Sequence, residues 1–260
     1  MSLPGIPFDI PFGNIYFHGL PAATLGNFQL RTTHPMNRFQ KVWHLFWICT
    51  AAAVALGPAL ASASENLPPL DYILKEVEKR YTGSQFAAEF LQESTIKTME
   101  ITDFASGRLY VRYPGMMRWE YEKPERQVII TDGKKLWIFR PQDNLVMTGS
   151  CPVFFRDGKG ASFLSDVSLV RKKFKIALAR AEGEYLYELK MTPIERTMNV
   201  SEIRLYITPR SYNIARIVTL NDLGDDTRID IIQPQFNVNL EPSLFSFDIP
   251  PGADVQKIDD

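Results

Sequence analysis

Hydrophobic and polar positions alternate most cleanly between Gly107 and Pro141 (GRLYVRYPGMMRWEYEKPERQVIITDGKKLWIFRP). Leu109, Val111 and Tyr113 alternate with Arg108, Tyr110 and Arg112, the period of two that marks a strand with one covered face. Met117, Trp119 and Tyr121 repeat the pattern against Arg118, Glu120 and Glu122. Pro114-Gly115 and Lys123-Pro124-Glu125 supply the corners, because Pro presets φ and Gly tolerates positive φ. Val128 to Thr131 and Leu136 to Phe139 flank Asp132-Gly133, a dipeptide suited to two-residue hairpins. The pattern predicts a meander of four short strands, rich in large flat side chains on one face.

Elsewhere the period changes. Leu70, Ile73, Leu74, Val77 and Tyr81 fall on one stripe, predicting an amphipathic helix over 68–81, with Asn66 as its cap and Gly83 as its stop. Residues 84–101 read as a long strand, and Asp103 to Gly107 as the turn into the meander. Asn144 to Gly149 extends the sheet, with Leu145 and Met147 on the covered face. Residues 152–173 break the strand pattern: Asp157-Gly158-Lys159-Gly160 is loop chemistry, and Phe163, Leu164, Val167, Leu169 and Val170 follow at near-helical spacing. A long connection carrying apolar helical turns usually covers something, so this segment is a candidate lid. From Phe174 onward strands return, over Phe174–Leu178, Tyr185–Met191, Ile203–Ile207, Ile214–Leu220 and Ile229–Phe236, and the chain ends in a Leu244-Phe245-Ser246-Phe247 and Pro250-Pro251-Gly252 tail.

The amino-terminal region does not read as folded core. Residues 1–35 are rich in Pro and Gly without any period, and precede a second Met, Met36. Arg38 and Lys41 then introduce an uncharged run, Val42 to Leu60, long enough to span a membrane. The Gly57-Pro58 break and the small residues Ala59, Ala61 and Ala63 favour a cleaved signal peptide over 36–63. The working domain is then 64–260, exported from the cytoplasm.

With 1–35 taken as an upstream extension outside the working protein, removing 1–63 as one leader changes the chemistry available. All three histidines (His18, His34, His44) and Cys49 go with it, leaving Cys151 alone and unable to form an internal disulfide. Without His, no Ser-His-Asp or Cys-His arrangement and no His-ligated metal site can be built. No Gly precedes Gly158-Lys159 at phosphate-loop spacing. The full chain has a net charge of −1, and the leader takes Arg31, Arg38 and Lys41 with only Asp9, so the remainder is more acidic and unsuited to nucleic acid. No cofactor is expected. Two acids in a turn, Asp225-Asp226, are the main remnant of enzymatic chemistry. What remains is a curved sheet with an excess of aromatic and Met side chains, residues that adapt to flexible hydrocarbon.

The run Tyr113-Pro114-Gly115, Met117-Arg118-Trp119-Glu120-Tyr121, Pro124, Ile130-Thr131-Asp132-Gly133, Leu136-Trp137 and Pro141 resembles the core signature of the LolA family of periplasmic lipoprotein carriers. The resemblance extends over most of 66–258. It implies a mainly β fold: a half-open antiparallel β-barrel with a few helices over its mouth. It also implies a monomeric carrier of acylated lipoproteins, loaded by an ATP-driven inner-membrane complex (LolCDE-like) and unloaded at an outer-membrane receptor (LolB-like). Candidate cavity residues are Phe90, Leu109, Val111, Tyr113, Met117, Trp119, Tyr121, Trp137, Phe139, Phe163 and Leu164; Arg112 and Arg118 are candidate contacts for the membrane complex. One departure stands out. Many family members carry Arg before the Pro of the first turn, where this chain has Tyr113, and Arg112, one residue earlier, belongs to the opposite strand face. Two rival readings remain: a receptor or envelope sensor of the same fold (LolB-like or RseB-like), and an enzyme acting on envelope lipid or glycan.

Overall fold

A computed structural model of the chain describes residues 67–151, 164, 167–180, 185–195 and 200–258. The expected upstream extension 1–35 and signal peptide 36–63, with Asn66, Phe163 and most of the candidate lid, lie outside these residues.

Helix α1 (Leu70–Tyr81) comes first. It starts directly after Pro68-Pro69, whose carbonyl at 69 accepts bonds from Tyr72 and Ile73, and Asp71 sits in the first turn where the helix dipole favours an acid. Thr82 donates back to the Glu78 carbonyl, and Gly83 at φ +73° then turns the chain into the sheet. The strands in order are β1 (Gln85–Ile96), β2 (Ile101–Arg112), β3 (Met116–Lys123), β4 (Gln127–Asp132), β5 (Lys135–Arg140), β6 (Leu145–Ser150), β7 (Phe174–Arg180), β8 (Tyr187–Pro193), β9 (Glu202–Ile207), β10 (Ile214–Leu220), β11 (Asp226–Phe236) and β12 (Asp254–Lys257). A second short helix, α2 (Ser168–Lys173), precedes β7.

All twelve strands form one sheet in the order β12-β6-β5-β4-β3-β2-β1-β11-β10-β9-β8-β7. Each half is a meander, and the halves join through β1 against β11, so the first and last long strands meet in the middle. Every pairing is antiparallel except β12 on β6. The sheet stays open, its edges being β7 and β12, which gives an incomplete barrel with helices on one face.

One turn falls elsewhere than its composition indicates. Asp103–Gly107 is strand, inside a β1–β2 hairpin paired without a break from Gln85↔Arg112 to Ile96↔Ile101. The chain reverses at Lys97–Met99, where Glu100 takes a left-handed conformation (φ 54°) and Lys97 N–H donates to Asp225 Oδ1 at 2.8 Å. Gly107 serves close approach instead: a Cβ there would lie 1.9 Å from the Glu120 carbonyl oxygen and 3.0 Å from the Phe90 ring.

The tail makes a second layer. Between β11 and β12 it crosses the outer face, where its turn Pro242–Phe245 packs on β3 and β4. Phe245, Ile130, Val146 and Leu240 are all buried, yet none belongs to the main core cluster. The sheet therefore has apolar residues covered on both sides.

Candidate functional site

Strand register sorts the meander into two faces. On the inner face three rows run across the strands: Phe86–Val111–Met117–Thr131–Leu136, then Ala88–Leu109–Trp119–Ile129–Ile138–Met147, then Phe90–Gly107–Tyr121–Gln127. Trp119, Leu109 and Leu136 have no solvent exposure. Phe90 stands at the centre of an aromatic group, edge-on to Trp119 and Tyr121 with centroids 5.0 Å apart in both cases. Space for the Phe90 ring exists because its neighbour on β2 is Gly107.

α1 lies over this face. Ile73, Leu74, Val77 and Tyr81 are buried in the same core, joined by Leu164, Val167 and Val170 from the segment before β7. Tyr81 packs edge-on against Phe86 and Phe236, and its hydroxyl accepts the Ile214 N–H at 2.9 Å. Arg80 lays its guanidinium 3.7 Å above the Phe236 ring and donates to Asn213. Burial pushes the Tyr81 and Tyr121 phenols up from their ordinary value. Outside the core, α1 and α2 are joined by ions: Arg171 reaches Glu78 at 2.6 Å and Asp71 at 2.8 Å.

The sequence-derived candidates divide. Phe90, Leu109, Val111, Met117, Trp119, Tyr121 and Leu164 are buried together on the inner side. Tyr113 sits just past β2, half-buried, its N–H on the Ser84 carbonyl at 3.0 Å. Trp137 and Phe139 face the other way, since they pair with Ile130 and Val128 rather than with Thr131 and Ile129. Phe139 meets Phe247 of the tail at 5.4 Å, so this aromatic pair belongs to the outer layer. Leu136 and Ile138 take the inner places on β5.

Arg112 and Arg118 also lie outward, and both hold the tail. Arg112 donates to the Leu240 carbonyl at 3.0 Å and Arg118 to the Leu244 carbonyl at 3.3 Å, with Glu120 2.6 Å from Arg118. They are therefore structural ties as well as charged groups on the outer face. Arg112 does not take the place that Arg before Pro114 would have, as the opposite parity requires.

The candidate set also omitted the second half of the sheet. Leu189, Met191, Leu205, Ile207, Ile214, Ile217, Ile229 and Ile231 are buried in the same core as Trp119. Their alternation was visible, but nothing local says that β8–β11 curve round to face the aromatic meander. Cys151 is buried, and burial pushes its thiol above the ordinary value. Among the described residues no group of His, Cys, Asp and Glu could hold a metal ion. A recess of about 350 Å³ beside the end of α1, lined by Glu76, Lys79, Arg80 and Arg210, is polar and unsuited to hydrocarbon.

The family model for the outer membrane lipoprotein carrier protein LolA matches residues 82–248. An outer-membrane lipoprotein carrier protein of Chromobacterium violaceum is 33% identical over 81% of this chain and 97% of its own. Its counterpart in Nitrosomonas europaea is 29% identical over 81% and 97%. Among solved structures, an uncharacterized conserved protein from Thermus thermophilus aligns over 72% of this chain and 98% of its own, with 17% identity and a TM-score of 0.48.

Proposed function

Because this chain belongs to the LolA family of outer-membrane lipoprotein carriers, we propose that acyl chains are sheltered by taking the place of the apolar stripe of α1 against the inner sheet face. The protein is a periplasmic chaperone that shuttles lipoproteins, a carrier rather than an enzyme. Cargo of this kind sets a physical problem. Each buried methylene is worth about 0.8 kcal/mol, so several acyl chains cannot stay in water and must be enclosed between membranes. They must also be released.

The observation that carries the reading is how the cover is attached. Ile73, Leu74, Val77 and Tyr81 close the inner face with apolar contacts that a hydrocarbon chain can imitate. The ties between α1 and α2 are partly exposed ion pairs, with side-chain exposures of 34% for Arg171 and 60% for Asp71, and such pairs are individually weak. Loading is then an exchange of one burial for another, with a small net free energy. Phe90, Leu109, Val111, Met117, Trp119, Tyr121 and Leu164 form the lining in this proposal, with Tyr113 at its rim.

Residues 64–260 are the working carrier in this reading, and 36–63 its removed leader. By family membership, an ATP-driven inner-membrane complex loads it and an outer-membrane receptor unloads it. The outer face shaped by Arg112, Arg118 and the tail is available to such partners. Mass spectrometry of protein purified gently from the periplasm tests the proposal. Co-purifying acylated peptides, lost when α1 is cross-linked to the sheet, are expected; cargo retained equally by the cross-linked form would sink it.

A further inference from the structure

One end of the inner face is not apolar. Past Trp119 the next row ends in Tyr121 and Gln127, directly opposite each other on β3 and β4. Tyr121 Oη donates to Gln92 Oε1 at 2.9 Å, and Gln92 Nε2 donates to Ser94 Oγ at 3.0 Å. Ser94 and Gln127 are 5% and 6% exposed, respectively. Three of these four side chains thus satisfy one another. The fourth does not: Gln127 Nε2 is out of reach of solvent and has no hydrogen-bond partner.

A buried amide donor without an acceptor is costly, and a protein interior rarely keeps one without cause. Methylenes cannot satisfy it. The head of an acyl anchor can, because each fatty ester carries a carbonyl oxygen where its chain begins. We propose that Gln127, beside the Tyr121–Gln92–Ser94 chain, forms a polar subsite that donates a hydrogen bond to the ester carbonyl of an acylglycerol anchor. This rests on the carrier reading above. It adds a direction to the bound lipid: the glycerol end lies by Gln127, and the chains run over Phe90, Trp119 and Met117 toward α1.

The idea makes a prediction opposite in sign to that of a purely greasy interior. An interior with no donor penalises an ester carbonyl, which loses its water and gains nothing, so it prefers an ether lipid of equal chain length. An interior with a waiting donor prefers the ester. The test uses protein purified from the periplasm and freed of lipid, with dioleoylglycerol and its diether analogue displacing a fluorescent fatty-acyl probe. The diester is expected to bind about five- to tenfold more tightly. Gln127→Leu should bring that ratio to one or below while melting no lower than the parent, since leucine removes an unpaired donor; a glutamine that served only the fold would show a loss of stability. Gln127→Met replaces it if the leucine variant does not fold. Equal binding of the two lipids by the parent, tighter binding of the diether, or a preference that survives the substitution would overturn the subsite and leave the carrier reading standing. Failure of both lipids to bind would remove both.

Discussion

Arg171 on α2 and Glu78 on α1 are joined by an ion pair of 2.6 Å, and the same guanidinium reaches Asp71, about two helical turns earlier on the same face, at 2.8 Å. It is a polar fastening between the two helices beside the apolar interior. Its exposure limits its strength, so Arg171→Ala should cost less than about 1 kcal/mol in global stability. Locally the effect should be larger: amides of 168–173 should exchange hydrogen faster than in the parent. Unchanged exchange there would show that the pair fastens nothing.

The same junction has an acid limit. Lys75, and after it Arg171, hold the Asp71 carboxyl below its ordinary value of 3.8. Its folded pKa is depressed, so its contribution is present above pH 3.8 and is lost as pH falls through the folded value. Exchange in α2 should therefore rise as pH is lowered below about 4, and Asp71→Asn should flatten that rise. The comparison of parent and variant, corrected for intrinsic exchange, checks it.

Trp119 and Trp137 report on opposite faces. An acyl chain brominated near its middle should quench Trp119, on the inner face, and spare Trp137, beneath the tail side. The quenching should vanish in Trp119→Phe and persist in Trp137→Phe. Truncation separates them as well: Trp119→Ala should cost about 3–5 kcal/mol by chemical denaturation, and the half-buried Trp137 clearly less.

Gly107 has no room for a methyl group. A Cβ 1.9 Å from the Glu120 carbonyl oxygen forces β2 and β3 apart or displaces Phe90. Gly107→Ala should destabilise by about 2–3 kcal/mol, and Gly107→Ala in a Phe90→Leu background should not relieve it, because the nearer obstacle is backbone. Denaturation midpoints of the two variants decide between backbone and ring.

Alkaline pH should weaken the fold through two phenols. Burial raises Tyr81 and Tyr121 above the ordinary 10.0. A phenol whose folded pKa is raised stabilises fully below the unfolded value, and that stability is lost as pH climbs toward the folded one. The denaturation midpoint should hold to about pH 9.5 and fall beyond it. Tyr121→Phe should shallow the fall; an unchanged slope in both Tyr→Phe variants would exclude these phenols as its source.

Strand positions from Leu109 to Phe139 were legible because alternation is a local property, set by which neighbours share a face. The α1 stripe was legible for the same reason. The hairpin at Lys97–Glu100 was not: residues 92–106 scatter Ile96, Met99, Ile101 and Phe104 among polar residues with no single period, so nothing in their pattern marks where the chain reverses, and the contact with Asp225 that helps place it comes from 128 residues away. Nor could the pattern say which side of β5 turns inward. Leu136 and Ile138 compete there with Trp137 and Phe139, and each set is apolar.

By itself the sequence determined the strand-rich class, the amphipathic helix that precedes it and the motif that marks the family. Tertiary structure alone decided that the tail, tied by Arg112 and Arg118, covers the side carrying Trp137 and Phe139 and so frees the Trp119 side to face α1 and β8–β11. The reason is physical: a strand's period assigns side chains to two faces, but only what packs on each face says which one is the interior.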